Sequence, residues 1–236
     1  VSLELIRWDA PGPYDVVFST RRGGVSEGPF ASLNLGRKLG DVPERVDENR
    51  RRLCVEVGAD LDRLALNYQR HTAQVNRAVA GRRGETGDGL WTDEPELPVL
   101  ALGADCALIG LARVNGDRPA VAALHAGRIG LLAGIAEAGV AALGARVAAV
   151  VGPTIGPCCY EVGEEVAAPF RARFGADVVS GRKLDLWTST ERALRDAGCA
   201  SVERLDLCTA CDAGRFFSYR RDGKPRGGHG VLARVA

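Results

Sequence analysis

The chain has 236 residues, 46% of them apolar and 26% charged, enough for one large domain whose core needs no cross-links. A formal net charge of +1 excludes the bulk field that would recruit nucleic acid or an anionic membrane, and no apolar run is long enough to span a bilayer. Seven cysteines, with Cys158 and Cys159 adjacent, fit reduced thiols in a cytoplasmic setting better than an evenly paired disulfide scaffold. Of the 31 basic residues, 28 are arginine. Coding bias is the plain reading of that excess, although arginine forks also recognise phosphate.

In chain order, residues 14–19 (YDVVFS) read as a strand running into the turn Arg21-Arg22-Gly23-Gly24. Asp41-Val42-Pro43-Glu44 has the form of a capping box and opens a helix with the apolar stripe Val46, Leu53, Cys54 and Val57, ending at Gly58. Arg50 to Arg52 read as its solvated face. Residues 74–80, 99–102, 107–112 and 120–124 are short apolar or alternating runs of a β-rich centre. Leu131, Ile135, Ala138 and Ala142 recur at helical spacing just after His125-Ala126-Gly127, so the first amides of that helix are free to face an anion. Residues 147–151 form a buried strand and 162–174 a helix bent near Pro169. A capping box at Thr188–Glu191 opens another helix, and 202–207 is a strand. Residues 216–221 alternate as a strand, and 220–230 form an irregular basic tail that carries an exposed His229. Strands and helices mixed without strict βαβ alternation predict an α+β or mixed α/β domain.

His71 and His125 lie in short segments on either side of Asp105-Cys106. Two imidazoles and one thiol suit zinc and leave a fourth position for water or substrate. The gaps of 35 and 19 residues form no local ligand clip, and the same residues also admit a Cys106 nucleophile served by a histidine base. Cys208-Thr209-Ala210-Cys211 is a CxxC without a second CxxC, and reads, like Cys158-Cys159, as packed thiols.

Together, several segments resemble one family, the YfiH/laccase-domain proteins, also described as polyphenol oxidase or peptidoglycan editing factor. They are FSTRRGGVSEGPFASLNLG (18–36), GD…ERVDENRRRL (40–53), Gln69 with His71 and Val75, ADC (104–106), HAG (125–127), GPTIGPCCYEVG (152–163), LDL (184–186), CT (208–209) and FFSYRRDG (216–223). The resemblance implies a single-domain layered sandwich over 1–236, α+β (mixed α/β) with mixed sheets packed between helices. It also implies a zinc site of His71, Cys106 and His125 and phosphorolysis of adenosine, inosine, guanosine and methylthioadenosine, with deamination of adenosine in some members. Purine nucleosides and phosphate are then the partners, without nucleic acid or membrane, for a monomer or small homo-oligomer. Arg220 and Arg226 are candidates for holding phosphate, Asn34 for a sugar or base contact, and Glu161 for proton transfer. The family's HAGWRG reads HAGRIG here (125–130), its QVHG reads QRHT (69–72), and the proline usual after ADC is missing.

Three rivals remain. A Cys106-centred amide hydrolase would edit peptidoglycan precursors. A non-catalytic zinc protein would need a fourth ligand. Copper is disfavoured: a blue-copper site wants a weak axial ligand that a chain without methionine does not supply as thioether, and a multicopper cluster needs more than three histidines.

Overall fold

The computed structural model describes residues 3–114, 116, 118–144 and 146–236. In chain order its elements are β1 (Leu5–Trp8), β2 (Tyr14–Ser19), α1 (Pro43–Glu56), β3 (Ala65–Tyr68), β4 (Val75–Arg77), β5 (Arg83–Thr86), β6 (Gly89–Thr92), β7 (Val99–Gly103), β8 (Ala107–Arg113), β9 (Val121–Ala126), α2 (Arg128–Ala133), α3 (Ile135–Leu143), β10 (Val147–Val151), α4 (Glu164–Phe174), β11 (Val179–Ser180), β12 (Lys183–Leu184), α5 (Leu186–Asp196), β13 (Ser201–Arg204), α6 (Tyr219–Asp222) and β14 (His229–Val235).

The strands form two six-stranded mixed sheets, ordered β1-β2-β14-β7-β3-β5 and β13-β10-β8-β9-β6-β4, while β11 and β12 pair separately. Period-2 alternation sorts their side chains into three apolar layers. Val16 and Phe18 of β2, Val99 and Ala101 of β7, and Val231 and Ala233 of β14 meet Leu108 of β8, Ala123 of β9 and Val150 of β10 between the sheets. The opposite face of the first sheet, with Val17, Leu100 and Leu232, packs on Leu53, Cys54 and Val57 of α1. The opposite face of the second, with Ile109, Leu111, Leu124, Val147 and Val151, packs on residues of α2 to α5. The result is a helix–sheet–sheet–helix sandwich. Among the described residues no helix is long and apolar enough to cross a membrane.

Several expectations are corrected. Asp41 does not cap α1: the N-cap is Val42, Pro43 takes the first helical position, and the Asp41 carboxylate instead accepts from Ser26 Oγ at 2.6 Å and Asn34 Nδ2 at 2.9 Å. Arg50 is not solvated; it is buried and donates twice to the Leu35 carbonyl. The cap of α5 is Asp185, accepting from the Thr188 amide, so that helix starts before Thr188. Gly134, with φ of 98°, divides the expected helix after HAG into α2 and α3. Phe216 and Phe217 are both fully buried, so residues 216–221 do not alternate; Ser218 caps the short α6. His229 is fully buried within β14, not exposed.

Phe18 bridges the layers, because a Cβ built on Gly152, just past β10, would lie 2.1 Å from its ring. Phe18→Ala removes that filling, and the expected loss is about 3–5 kcal/mol of unfolding free energy, read from urea denaturation midpoints. A change below about 1 kcal/mol would mean the two sheets close over the gap.

Candidate metal centre and cavity

The site is built at one end of the second sheet. His125 is the penultimate residue of β9, with its main chain paired to Leu108 of β8, and Cys106 immediately precedes β8. His71 comes from the loop between β3 and β4 and holds a φ of 61°. Asp88, at the entry to β6, explains that conformation. Its carboxylate accepts from the amides of Arg70 (3.1 Å), His71 (3.0 Å) and Thr72 (2.7 Å) and from Thr72 Oγ1 (2.8 Å). Its Oδ1 also faces His125 Nδ1 at 2.8 Å, both groups being almost wholly buried.

These contacts bring one ligand atom each from His71, Cys106 and His125 within 4.8 Å of one another. Cys106 Sγ lies 3.8 Å from His71 Nε2, and the two imidazole rings meet edge to face at 4.9 Å. Since Asp88 takes Nδ1 of His125, Nε2 is the nitrogen left to coordinate. A carboxylate behind a ligating histidine is the usual outer support of a metal site, fixing both tautomer and ring orientation. The donor set, its spacing and that support all fit a divalent metal held by His71, Cys106 and His125, with a coordination position left open. Gly127 is part of the fit, as a Cβ there would stand 2.6 Å from His71 Cδ2 and 3.0 Å from Cys106 Sγ.

The same geometry sets the charges of the metal-free site. Burial works against a Cys106 thiolate, but the adjacent His125, and then hydrogen bonds from both histidines, bring the thiol down to about 6. Burial likewise works against His125 being charged, yet the Cys106 and Asp88 anions raise it to about 9. Asp88 is held well below the usual carboxylate range: burial opposes its ionisation, but the bonds from His125, Thr72 and Arg70 outweigh it.

A cavity of about 560 Å³ opens onto the three ligands. Arg37, Lys38, Arg50, Arg83 and Arg226 line it, and no carboxylate among the described residues does. Arg50 and Arg83 spend their guanidinium bonds on backbone carbonyls, and Lys38 sits 3.7 Å over the Tyr68 ring. Burial first, and then neighbouring Arg83, lower Arg50 to about 10. Arg226 is lowered by burial, and its Nε has no partner among the described residues.

Of the other residues singled out in the sequence, Arg226 lines this cavity and three do not. Asn34 is fully buried, its Nδ2 on Asp41 and its Oδ1 accepting from the amides of Gly36 and Gly228, so it ties loops together. Glu161 is exposed and paired with Arg182 at 3.2 Å. Arg220 is exposed, with its amide on Asp105 Oδ2 and its guanidinium on the Cys159 carbonyl. Asp88 was missed, although its setting between Gly87 and Gly89 is a signal for a carboxylate at a tight backbone crossing. Arg128 and Ile129, in place of the family's Trp-Arg, are both exposed at the start of α2.

Residues 15–235 match the family model described as multi-copper polyphenol oxidoreductase laccase. The chain belongs to this family. It is 36% identical to the purine nucleoside phosphorylase of Pseudomonas aeruginosa over 228 residues, covering 92% of each chain. It is 41% identical to that of Deinococcus radiodurans over 217 residues, covering 87% of this chain and 83% of the relative. YlmD from Geobacillus stearothermophilus superposes with a TM-score of 0.89 at 30% identity, covering 98% of this chain and 96% of that one. The family's description names several coppers, whereas this chain has three histidines, of which His229 lies buried in β14, apart from the cluster.

Two measurements follow from this geometry. Asp88→Asn is expected to weaken metal binding about 10–100-fold, read by competition with a chelating indicator; unchanged affinity would show that Asp88 does not orient His125. Metal uptake at neutral pH must displace the proton held on His125, so affinity rises with pH until about 9. Below about 6 the Cys106 proton is displaced as well, and the dependence steepens. Proton release measured in weak buffer checks this, and uptake without release would refute the charge assignment.

Proposed function

We propose that this protein is a zinc-dependent purine nucleoside phosphorylase whose substrates are adenosine, inosine, guanosine and methylthioadenosine. The observation that carries the reading is the carboxylate-free cavity joining the His71, Cys106 and His125 cluster to five cations. Its volume of about 560 Å³ suits a nucleoside with phosphate beside it. Zinc, held by His71, Cys106 and His125, would supply a Lewis acid at the cavity floor.

The chain's own residues supply the rest. Arg226, half-buried on the cavity wall, offers phosphate a charge-assisted bond in a site where its own charge is poorly solvated. Arg37 and Lys38 add positive charge along the same wall, so a phosphate dianion is held beside the ribose and its approach to C1′ becomes intramolecular in effect. Phosphate oxygen bonds to C1′ as the C1′–N9 bond breaks, and the departing base takes the proton that the monohydrogen phosphate gives up. Gln69 shapes the wall: its amide exchanges two bonds with the Leu102 backbone, at 2.7 and 2.8 Å. Deamination of adenosine belongs to the same reading as a side activity.

A second reading has an observation of its own. Cys106, His125 and Asp88 also stand in the order of a thiol nucleophile, its base and an orienting carboxylate. That reading predicts amide hydrolysis that survives removal of metal.

Chromatography of zinc-replete protein incubated with adenosine, with and without phosphate, separates them. Adenine formed only with phosphate is the expected result, and inosine in either tube reports deamination. Intact adenosine in both tubes, with metal bound, sinks the nucleoside reading for that substrate. Arg226→Ala is expected to raise the KM for phosphate about tenfold or more; an unchanged KM would remove it from the phosphate site.

A further inference from the structure

Two pairs of cysteines separated in sequence converge outside this centre. Sγ atoms of Cys158, Cys159, Cys208 and Cys211 all lie within 4.8 Å of one another. Read as a sequence, the CxxC at 208–211 lacks a partner motif; in the fold, the vicinal pair at the turn after Gly156 and Pro157 faces it. We propose that these four thiols form a second metal site, a structural zinc centre with four thiolate ligands, distinct from the His71, Cys106 and His125 cluster.

The distances distinguish a shared metal from a disulfide. Cys211 Sγ is 3.4 Å from Cys158 Sγ and 3.3 Å from Cys159 Sγ, so it favours neither as a covalent partner. Four thiolates at about 2.3 Å from a tetrahedral zinc stand about 3.8 Å apart, close to what is found. A bond between the adjacent Cys158 and Cys159 would be strained. Cys208 Sγ also accepts the Gly156 amide at 3.3 Å, a contact that suits a thiolate. Binding would release the thiol protons to solvent and leave two net negative charges on the centre. Cations stand ready for them: Lys183 Nζ donates to the Cys158 carbonyl at 3.2 Å, Arg220 to the Cys159 carbonyl at 3.1 Å, and Arg221 to the Thr209 and Ala210 carbonyls.

The staple has a purpose within the fold. It joins the loop after β10 to the loop after β13, which meet otherwise through the small bridge between Thr154 and Cys208. Both loops grip Asp105, whose carbonyl accepts from the Ile155 amide at 2.9 Å and whose carboxylate accepts from Thr209 Oγ1 at 2.6 Å. Asp105 has a φ of 100° and directly precedes the ligand Cys106. The four-thiolate centre therefore braces the backbone of the other site from behind.

Elemental analysis of protein prepared in zinc-replete, reducing medium without chelator tests this. Wild type is expected to hold two zinc per chain, and Cys106→Ala to retain one. Cobalt(II) loaded into Cys106→Ala should then give the intense charge-transfer and visible bands of a tetrahedral all-thiolate site. Cys208→Ser should lose that spectrum, while wild-type protein supplies the zinc count even if this variant fails to fold. The proposal is overturned if wild type holds one zinc and folded Cys106→Ala holds none. It is equally overturned if intact-mass analysis finds the four cysteines two hydrogens short, as a disulfide requires.

Discussion

One buried carboxylate sets the arrangement of the whole site. Asp88 collects three consecutive backbone amides, a hydroxyl and an imidazole, so a single charged group fixes both the loop that carries His71 and the ring of His125. An unpaired carboxylate so buried would be costly, and each of these donors offsets part of that cost. The left-handed backbone at His71 costs of order 1 kcal/mol or more by itself and persists because three amides converge on one acceptor. Ligands arriving from three separate segments, 71, 106 and 125, thus share one geometric reference that is itself part of the sandwich.

Charge is distributed around this point with a clear polarity. Cys106 lies on the floor with the buried Asp88 carboxylate behind His125, and the walls above are cationic without a carboxylate among the described residues. Five like-charged side chains are tolerated because Arg50 and Arg83 lean on backbone carbonyls, Lys38 and Arg226 on aromatic rings, and Arg37 on the Asp47 carboxylate. Such a surface is less stable alone than with an anion bound, which is how binding sites store affinity.

Much of the fold was legible in the sequence. The runs at 14–19 and 147–151 appear as strands with those bounds, because alternating or continuous apolar residues state both the element and its burial. His71, Cys106 and His125 were legible only as residue types and through the family resemblance, since no local spacing joins them. Capping boxes misled at Asp41, whose carboxylate is claimed by tertiary bonds from Ser26 and Asn34, and at Thr188, which lies inside a helix already capped three residues earlier by Asp185. His229 and Arg50 were misplaced for a related reason: a Gly-rich or arginine-rich neighbourhood reads as solvent-facing, whereas both are covered by other elements. The pairing of Cys158-Cys159 with Cys208 and Cys211 depends on loops about 50 residues apart, which no single window contains.

The position of β14 has a consequence for how the protein is made. This strand is the last in chain order, yet it lies between β2 and β7, with Val231 opposite Phe18 on one side and Ala101 on the other. A nascent chain emerging from the ribosome therefore carries β1, β2, β3, β5 and β7 as a sheet with its middle missing. Arg226 and Gly228, which complete the cavity, arrive with the same final segment. The first sheet cannot close until β14 has been made, so chains that lack it expose two unpaired strand edges and depend on chaperones or fall to proteases.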